Sequence, residues 1–203
     1  GICNFGDLSI LSFHATKVFN TMEGGAIVCH DEATKKRIDY LKNFGFAGET
    51  TIMAPGINSK MNEMQAALGL VQLKHYQENI AKREAIENAY REGLKDVKGI
   101  TMLPIAQETE SNHSYFPIFI NEKEYEMSRD QLYEKLKQHN IFGRRYFYPL
   151  ISEFSMYKGL DSAKPSNLQV AAKMAGKVIC LPIYPNLELH NIEKTIQTLK
   201  NGK

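Results

Sequence analysis

Two short apolar runs, with a lysine and a glycine pair between them, constrain this chain more than any other feature. Residues 8–13 read as a strand whose successive side chains face opposite sides, and residues 26–30 form a second run. Gly24-Gly25 turns the chain from one run into the other. Lys17 falls where the first strand is expected to end. Strand ends are where α/β proteins place their chemistry, because a rigid sheet fixes a side chain whose tip reaches a crevice. Taken alone, a lysine there is most simply a solvated charge with its stem on the surface. Ser12 alone is just a small strand residue. Partly shielded from water, however, a lysine can lose its proton well below its free pKa of about 10.4 and attack a carbonyl.

The neighbours decide between these readings. Gly6-Asp7 and the stretch SILSFHATKVFNTMEGGAIV, residues 9–28, closely resemble the active-site lysine segment of the DegT/DnrJ/EryC1/StrS family of pyridoxal-phosphate-dependent sugar aminotransferases. The resemblance implies Lys17 as the residue to which pyridoxal 5'-phosphate is covalently attached, and Ser12, five residues earlier, as a ligand of its phosphate. It implies an α/β fold: part of the large domain of a pyridoxal-phosphate-dependent transferase of fold type I, over residues 1–75, followed by a linking helix and a small α+β domain over residues 76–203. The resemblance covers essentially the whole chain but only the C-terminal half of family members. The half not matched normally supplies an aspartate to the pyridine nitrogen, an aromatic stacked on the ring and a glycine-containing phosphate cup. On that ground the chain is expected to be a fragment that is inactive alone.

Bulk properties are permissive. The chain has 203 residues, 43% hydrophobic and 24% charged, with a formal net charge of +2, which gives no reason to expect nucleic acid or membrane as a partner. Cys3, Cys29 and Cys180 are odd in number and widely spaced, which fits reduced thiols in a cytoplasmic protein. The six histidines are scattered, so no metal site is expected.

Along the chain, Asp31 is expected to cap a helix running to about Lys42, with Ile38 and Leu41 inward. Residues 44–59 read as a loop punctuated by Gly45, Gly48, Pro55 and Gly56. Next comes Gly56-Ile57-Asn58-Ser59-Lys60-Met61, leading into a helix. On the residues alone, Asn58 or Ser59 is its N-cap. The resemblance offers a second role: it implies that Asn58 reaches across a homodimer interface to the cofactor phosphate of the other subunit, a job suited to an amide donor near a helix N-terminus. Lys60 stands where relatives often have arginine. From Met64 to Leu94 helix-like spacing continues, long enough for two helices or one bent one. Its charges, from Lys82 to Lys95, read as a solvated face.

Beyond Gly99, strands are expected at residues 100–103, 115–120, 142–148 and 178–183. Helices are expected from Ser128 to about His139, over residues 167–175, and at the C-terminus through Leu189, Ile192, Ile196 and Leu199. Arg144, Arg145, Tyr146 and Tyr148 read most simply as an edge strand with arginines outward. The resemblance places this segment on the way back to the active-site mouth. It implies Arg145 and Tyr148 as contacts of a nucleotide sugar, where a guanidinium suits a diphosphate. His113, Ser114 and Tyr115 are expected to be structural, and His14 either packs or faces the cofactor.

The implied reaction moves an amino group from glutamate to a nucleotide-linked keto (deoxy)sugar, as in surface-polysaccharide or antibiotic-sugar synthesis. A non-transaminating relative with histidine in the lysine position is disfavoured by Lys17, and a regulatory protein without chemistry is the remaining alternative.

Overall fold

The computed structural model describes residues 1–105 and 108–202, and the chain divides into two compact units, Gly1–Gln77 and Glu78–Lys203.

In the first unit, β1 (Leu8–Ser12) and β2 (Gly25–Cys29) form an antiparallel hairpin with Leu8 opposite Cys29 and Ser12 opposite Gly25. Neither face of β1 is well buried. Ile10 is 81% exposed and both neighbours of its own face remain open, because a two-stranded ribbon cannot cover itself. α1 (Glu32–Leu41) follows, and Asp31 caps it by accepting from the Thr34 amide at 2.8 Å. The loop beyond α1 folds back on itself through single bridges, Asn43 with Asn58 and Phe46 with Ile52. Gly45 is required there: its φ is +86°, and any Cβ would overlap the carbonyl oxygen of Ala54.

α2 (Glu63–Leu94) is one continuous helix of 32 residues, not two, about 48 Å long at 1.5 Å per residue. Its N-cap is neither Asn58 nor Ser59. Asn62 accepts from the Gln65 amide at 2.9 Å while the Gln65 side chain accepts from the Asn62 amide at 3.2 Å. This reciprocal pair leaves Asn58 exposed in the preceding loop.

The second unit holds the core. β3 (Ile100–Met102), β4 (Phe116–Ile120) and β5 (Val178–Leu181) form an antiparallel sheet in that order. Around it lie α3 (Glu122–Tyr125), α4 (Arg129–Gln138), α5 (Gln169–Ala175) and α6 (Leu189–Lys200). Ser128 and Gln131 form a full capping box at the start of α4. β4 alternates strictly, with Phe116, Ile118 and Ile120 buried against Tyr90 and Leu94 of α2, Leu132 and Leu136 of α4, and Ile192, Ile196 and Leu199 of α6. Truncating a fully buried leucine such as Leu132 to alanine in such a core costs about 2–5 kcal/mol. α2 and α6 approach closely because Gly93 faces Ile196, where a Cβ would lie 2.5 Å from Cδ1.

The strand expected over residues 142–148 is absent. Only Arg144 pairs, exchanging backbone hydrogen bonds of 2.9 and 2.7 Å with Cys180 at the edge of β5, after which the chain turns away. High β-propensity in Tyr-Phe-Tyr is outweighed by side-chain partners that lie off the sheet. Among the described residues no helix is long and apolar enough to cross a membrane.

Candidate active site

Lys17 lies five residues beyond the end of β1, in the loop that joins it to β2, not at the strand end itself. That loop is pinned backbone to backbone. Phe13 donates to Gly24 at 2.8 Å and Thr21 to Phe13 at 3.0 Å, which prolongs the ladder, while Lys17 closes a turn on the His14 carbonyl at 2.9 Å. Asn20 adds a side-chain bond to the Lys17 carbonyl at 3.1 Å.

Side chains then seat the loop. Phe13 and Phe19 meet edge to face with centroids 4.9 Å apart. Thr21 is buried and donates its hydroxyl to the Glu23 carbonyl at 2.8 Å. Its methyl lies where Gly69 of α2 leaves room: a Cβ at Gly69 would sit 3.1 Å from Thr21 Cγ2 and 3.8 Å from Phe19. A glycine inside an otherwise helical run was the one sequence signal of this close approach. Sequence reasoning missed Phe19, Thr21 and Gly69 as supports of the loop.

Within this frame Lys17 is half-buried, and among the described residues no side chain pairs with its ammonium. Ser12, exposed at the last position of β1, has the His14 amide 3.4 Å from its hydroxyl. The His14 ring is committed locally. Nδ1 accepts from the Thr16 amide at 3.2 Å and lies 2.9 Å from the Thr16 hydroxyl, so its proton belongs on Nε2, which is 3.6 Å from Glu23. Ser12 and Lys17 therefore share one hairpin, with an exposed hydroxyl and an uncommitted amine. That donor set fits a ligand bearing a carbonyl and a phosphate. Asn58 is exposed in the 43–59 loop of the same unit, where its backbone is held to Asn43. Lys60 donates to the Asn43 side chain at 2.5 Å and lies over the Phe44 ring, so it braces this loop.

Arg145 and Tyr148 belong to the second unit and do come together, with the guanidinium 5.2 Å from the ring centroid. Both also have partners of their own. Arg145 donates to Asp130 at 2.8 Å and lies 4.3 Å over Tyr133, while Arg129 lies 4.6 Å from the centroid of the Tyr148 ring. Burial alone pushes the Asp130 carboxyl up, but the hydrogen bond from Arg145 and the two guanidinium charges more than offset it and hold it below the usual range. His113 has its Nδ1 2.7 Å from the buried carboxylate of Glu87, which Arg91 binds as well. Among the described residues no group of histidine, cysteine and carboxylate side chains is placed to hold a metal ion.

Comparison with known proteins identifies the family of the chain. The chain is 54% identical over 177 residues to an Escherichia coli protein named dTDP-4-amino-4,6-dideoxy-D-glucose transaminase, a match covering 87% of this chain and 47% of that protein. The solved structure of DesI in the presence of its TDP-sugar product superposes with a TM-score of 0.86 at 34% identity, over 96% of this chain and 49% of that one. The putative sugar aminotransferase Spr1654 from Streptococcus pneumoniae, in its PLP form, superposes at 0.87 with 26% identity, over 98% of this chain and 52% of that one. The chain thus spans about half the length of the relatives it matches, and its fold is part of the fold type I transferase architecture. Residues 1–200 match the profile of one family, and the chain belongs to it: the DegT/DnrJ/EryC1/StrS aminotransferase family.

Proposed function

We propose that the protein is a pyridoxal-phosphate-dependent aminotransferase that moves an amino group from glutamate to a nucleotide-linked keto (deoxy)sugar, working as a cytoplasmic homodimer. The observation that carries this reading is the family match over residues 1–200, a span that contains Ser12, Lys17 and Asn58, beside 54% identity over 87% of the chain to a protein named a dTDP-4-amino-4,6-dideoxy-D-glucose transaminase.

When bound, pyridoxal phosphate supplies the electron sink for both half-reactions. The rest is the work of this chain's own groups. Lys17 holds the cofactor through Nζ. The same nitrogen, when free, would serve as the base that takes the proton from the amino donor's α-carbon and as the acid that gives one to the sugar carbon being aminated. Ser12 Oγ donates to the phosphate. The Asn58 amide does the same for the site of the second subunit, and Arg145 and Tyr148 meet the diphosphate and hydroxyls of the nucleotide sugar. The hairpin ladder and the Thr21–Gly69 seat hold Lys17 Nζ still enough to act at successive atoms.

Lys17→Ala in the full-length protein tests the reading. The absorbance of the lysine-bound cofactor is expected to vanish, and glutamate-dependent amination of nucleotide keto sugars to fall about 100-fold or more. Unchanged absorbance in the variant would remove Lys17 from its role.

A further inference from the structure

Among the described residues, Arg129 is the most deeply buried cation of the second unit, 3% exposed at the first turn of α4. Its guanidinium ties four pieces of chain together. Nη1 donates to the carbonyl of Ala175, at the end of α5, at 3.0 Å and to that of Val178, at the start of β5, at 3.1 Å. Nε is 2.8 Å from Asp130 Oδ1, near enough for an ion pair but not aligned as a hydrogen bond. The guanidinium carbon lies 4.6 Å from the centroid of the Tyr148 ring. The same Asp130 oxygen accepts from Arg145 at 2.8 Å, and Arg145 lies on Tyr148 as well. Tyr148 is thus gripped by two guanidinium groups that share one carboxylate oxygen. Outside this grip, the only sheet pairing of the segment is the Arg144 bridge to Cys180.

A buried cation with one partly exposed counter-charge is a costly way to fasten a turn, since apolar side chains of the same volume would fill the space with less desolvation. What a guanidinium adds is direction: two carbonyls fix its plane, and the plane fixes the ring that stacks on it. We propose that Arg129 is a positioning residue that orients Tyr148 and, through Asp130, Arg145 for contact with the nucleotide sugar. This rests on the functional reading of Arg145 and Tyr148 given above. Arg129 itself touches no substrate. It sets the angle of the ring and the reach of the neighbouring guanidinium.

The test uses the full-length protein and Arg129→Lys, which keeps the charge but loses the planar fork. Its crystal structure is expected to show Tyr148 rotated and Arg145 displaced. The KM for the nucleotide sugar should rise about tenfold with kcat within about twofold and the KM for the amino donor unchanged. A merely structural role would lower Tm and kcat and leave both KM values alone. Asp130→Asn provides the second arm should Arg129→Lys fail to fold: it frees Arg145 from the surface side, and a rise of about threefold in the same KM is expected. Tyr148 unmoved in the variant structure, or an unchanged sugar KM, overturns the proposal and leaves the transaminase reading intact. A wild-type protein that aminates no member of a panel of nucleotide keto sugars overturns both.

Discussion

Glu87 carries its charge where little water reaches it, and Arg91 and His113 answer for it. Arg91 binds one oxygen through Nε at 2.8 Å and Nη2 at 2.7 Å, and His113 Nδ1 meets the other at 2.7 Å. Arg83, one turn earlier, donates to the His113 carbonyl at 3.2 Å and to that of Ile183 at 3.0 Å. Burial raises the affinity of the carboxyl for a proton, but the bonds from His113 and Arg91 outweigh that, and the group is held below its ordinary value of 4.5. A carboxyl depressed in the folded state adds stability above its unfolded value and loses it as pH falls through the folded one. Glu87→Gln should therefore cost about 2 kcal/mol at pH 7 and progressively less as pH is taken from about 5 down to 3. Urea unfolding of both proteins across that range measures it, and a pH-independent difference would show that the charge is not what stabilises.

Between elements, the contact that bears most on the role proposed for Lys17 is the one between α2 and the lysine loop. Gly69 gives Thr21 and Phe19 their room, so a branched side chain there must push the loop away or bend the helix. Gly69→Val is expected to destabilise by about 1–3 kcal/mol and to weaken pyridoxal phosphate binding in the full-length protein. Thermal melts and a cofactor titration report on the two effects, and unchanged cofactor affinity would detach α2 from the site. The sequence displays such elements unevenly. Asp31, Ser128 and the strand at β4 were legible because caps and short runs of β-favouring residues are local devices. The cap of α2 was misplaced by three or four residues because Asn58-Ser59 and Asn62 offer similar side chains, and only the Gln65 three residues after Asn62 separates them. Residues 142–148 were misread because strand propensity does not reveal whether a neighbour offers an edge. Here β5 offers it at Arg144 alone, while Arg129, hidden in a charged helix start, claims Tyr148. Ser12 and Lys17 could be named from their neighbours in sequence, whereas the seat beneath them depends on residues almost fifty positions away.

For the whole molecule, burial is concentrated in one unit. The fully buried apolar side chains run from Ile86 to Leu199, whereas no residue of α1 is buried and Ile10, Met64 and Leu70 are well exposed. Local stability follows buried contacts. In the 203-residue chain, amide hydrogen exchange should accordingly be slowest in β4, β5, α4 and α6 and fast throughout α1 and the β1–β2 hairpin. Comparable protection in both would contradict that division. The Glu87 cluster has one more outcome. Arg91 holds the Leu103 carbonyl at 2.9 Å, and Glu87 and Arg83 hold His113, so the crossing from β3 to β4 is clamped to α2 at its two ends. Strand register is then set by the clamps and not by what runs between them. Doubling the length of such a crossing adds only about 0.6 kcal/mol of closure entropy. Homologues are free to lengthen, shorten or rewrite that span without disturbing the sheet, which makes it the natural place for members of one family to diverge.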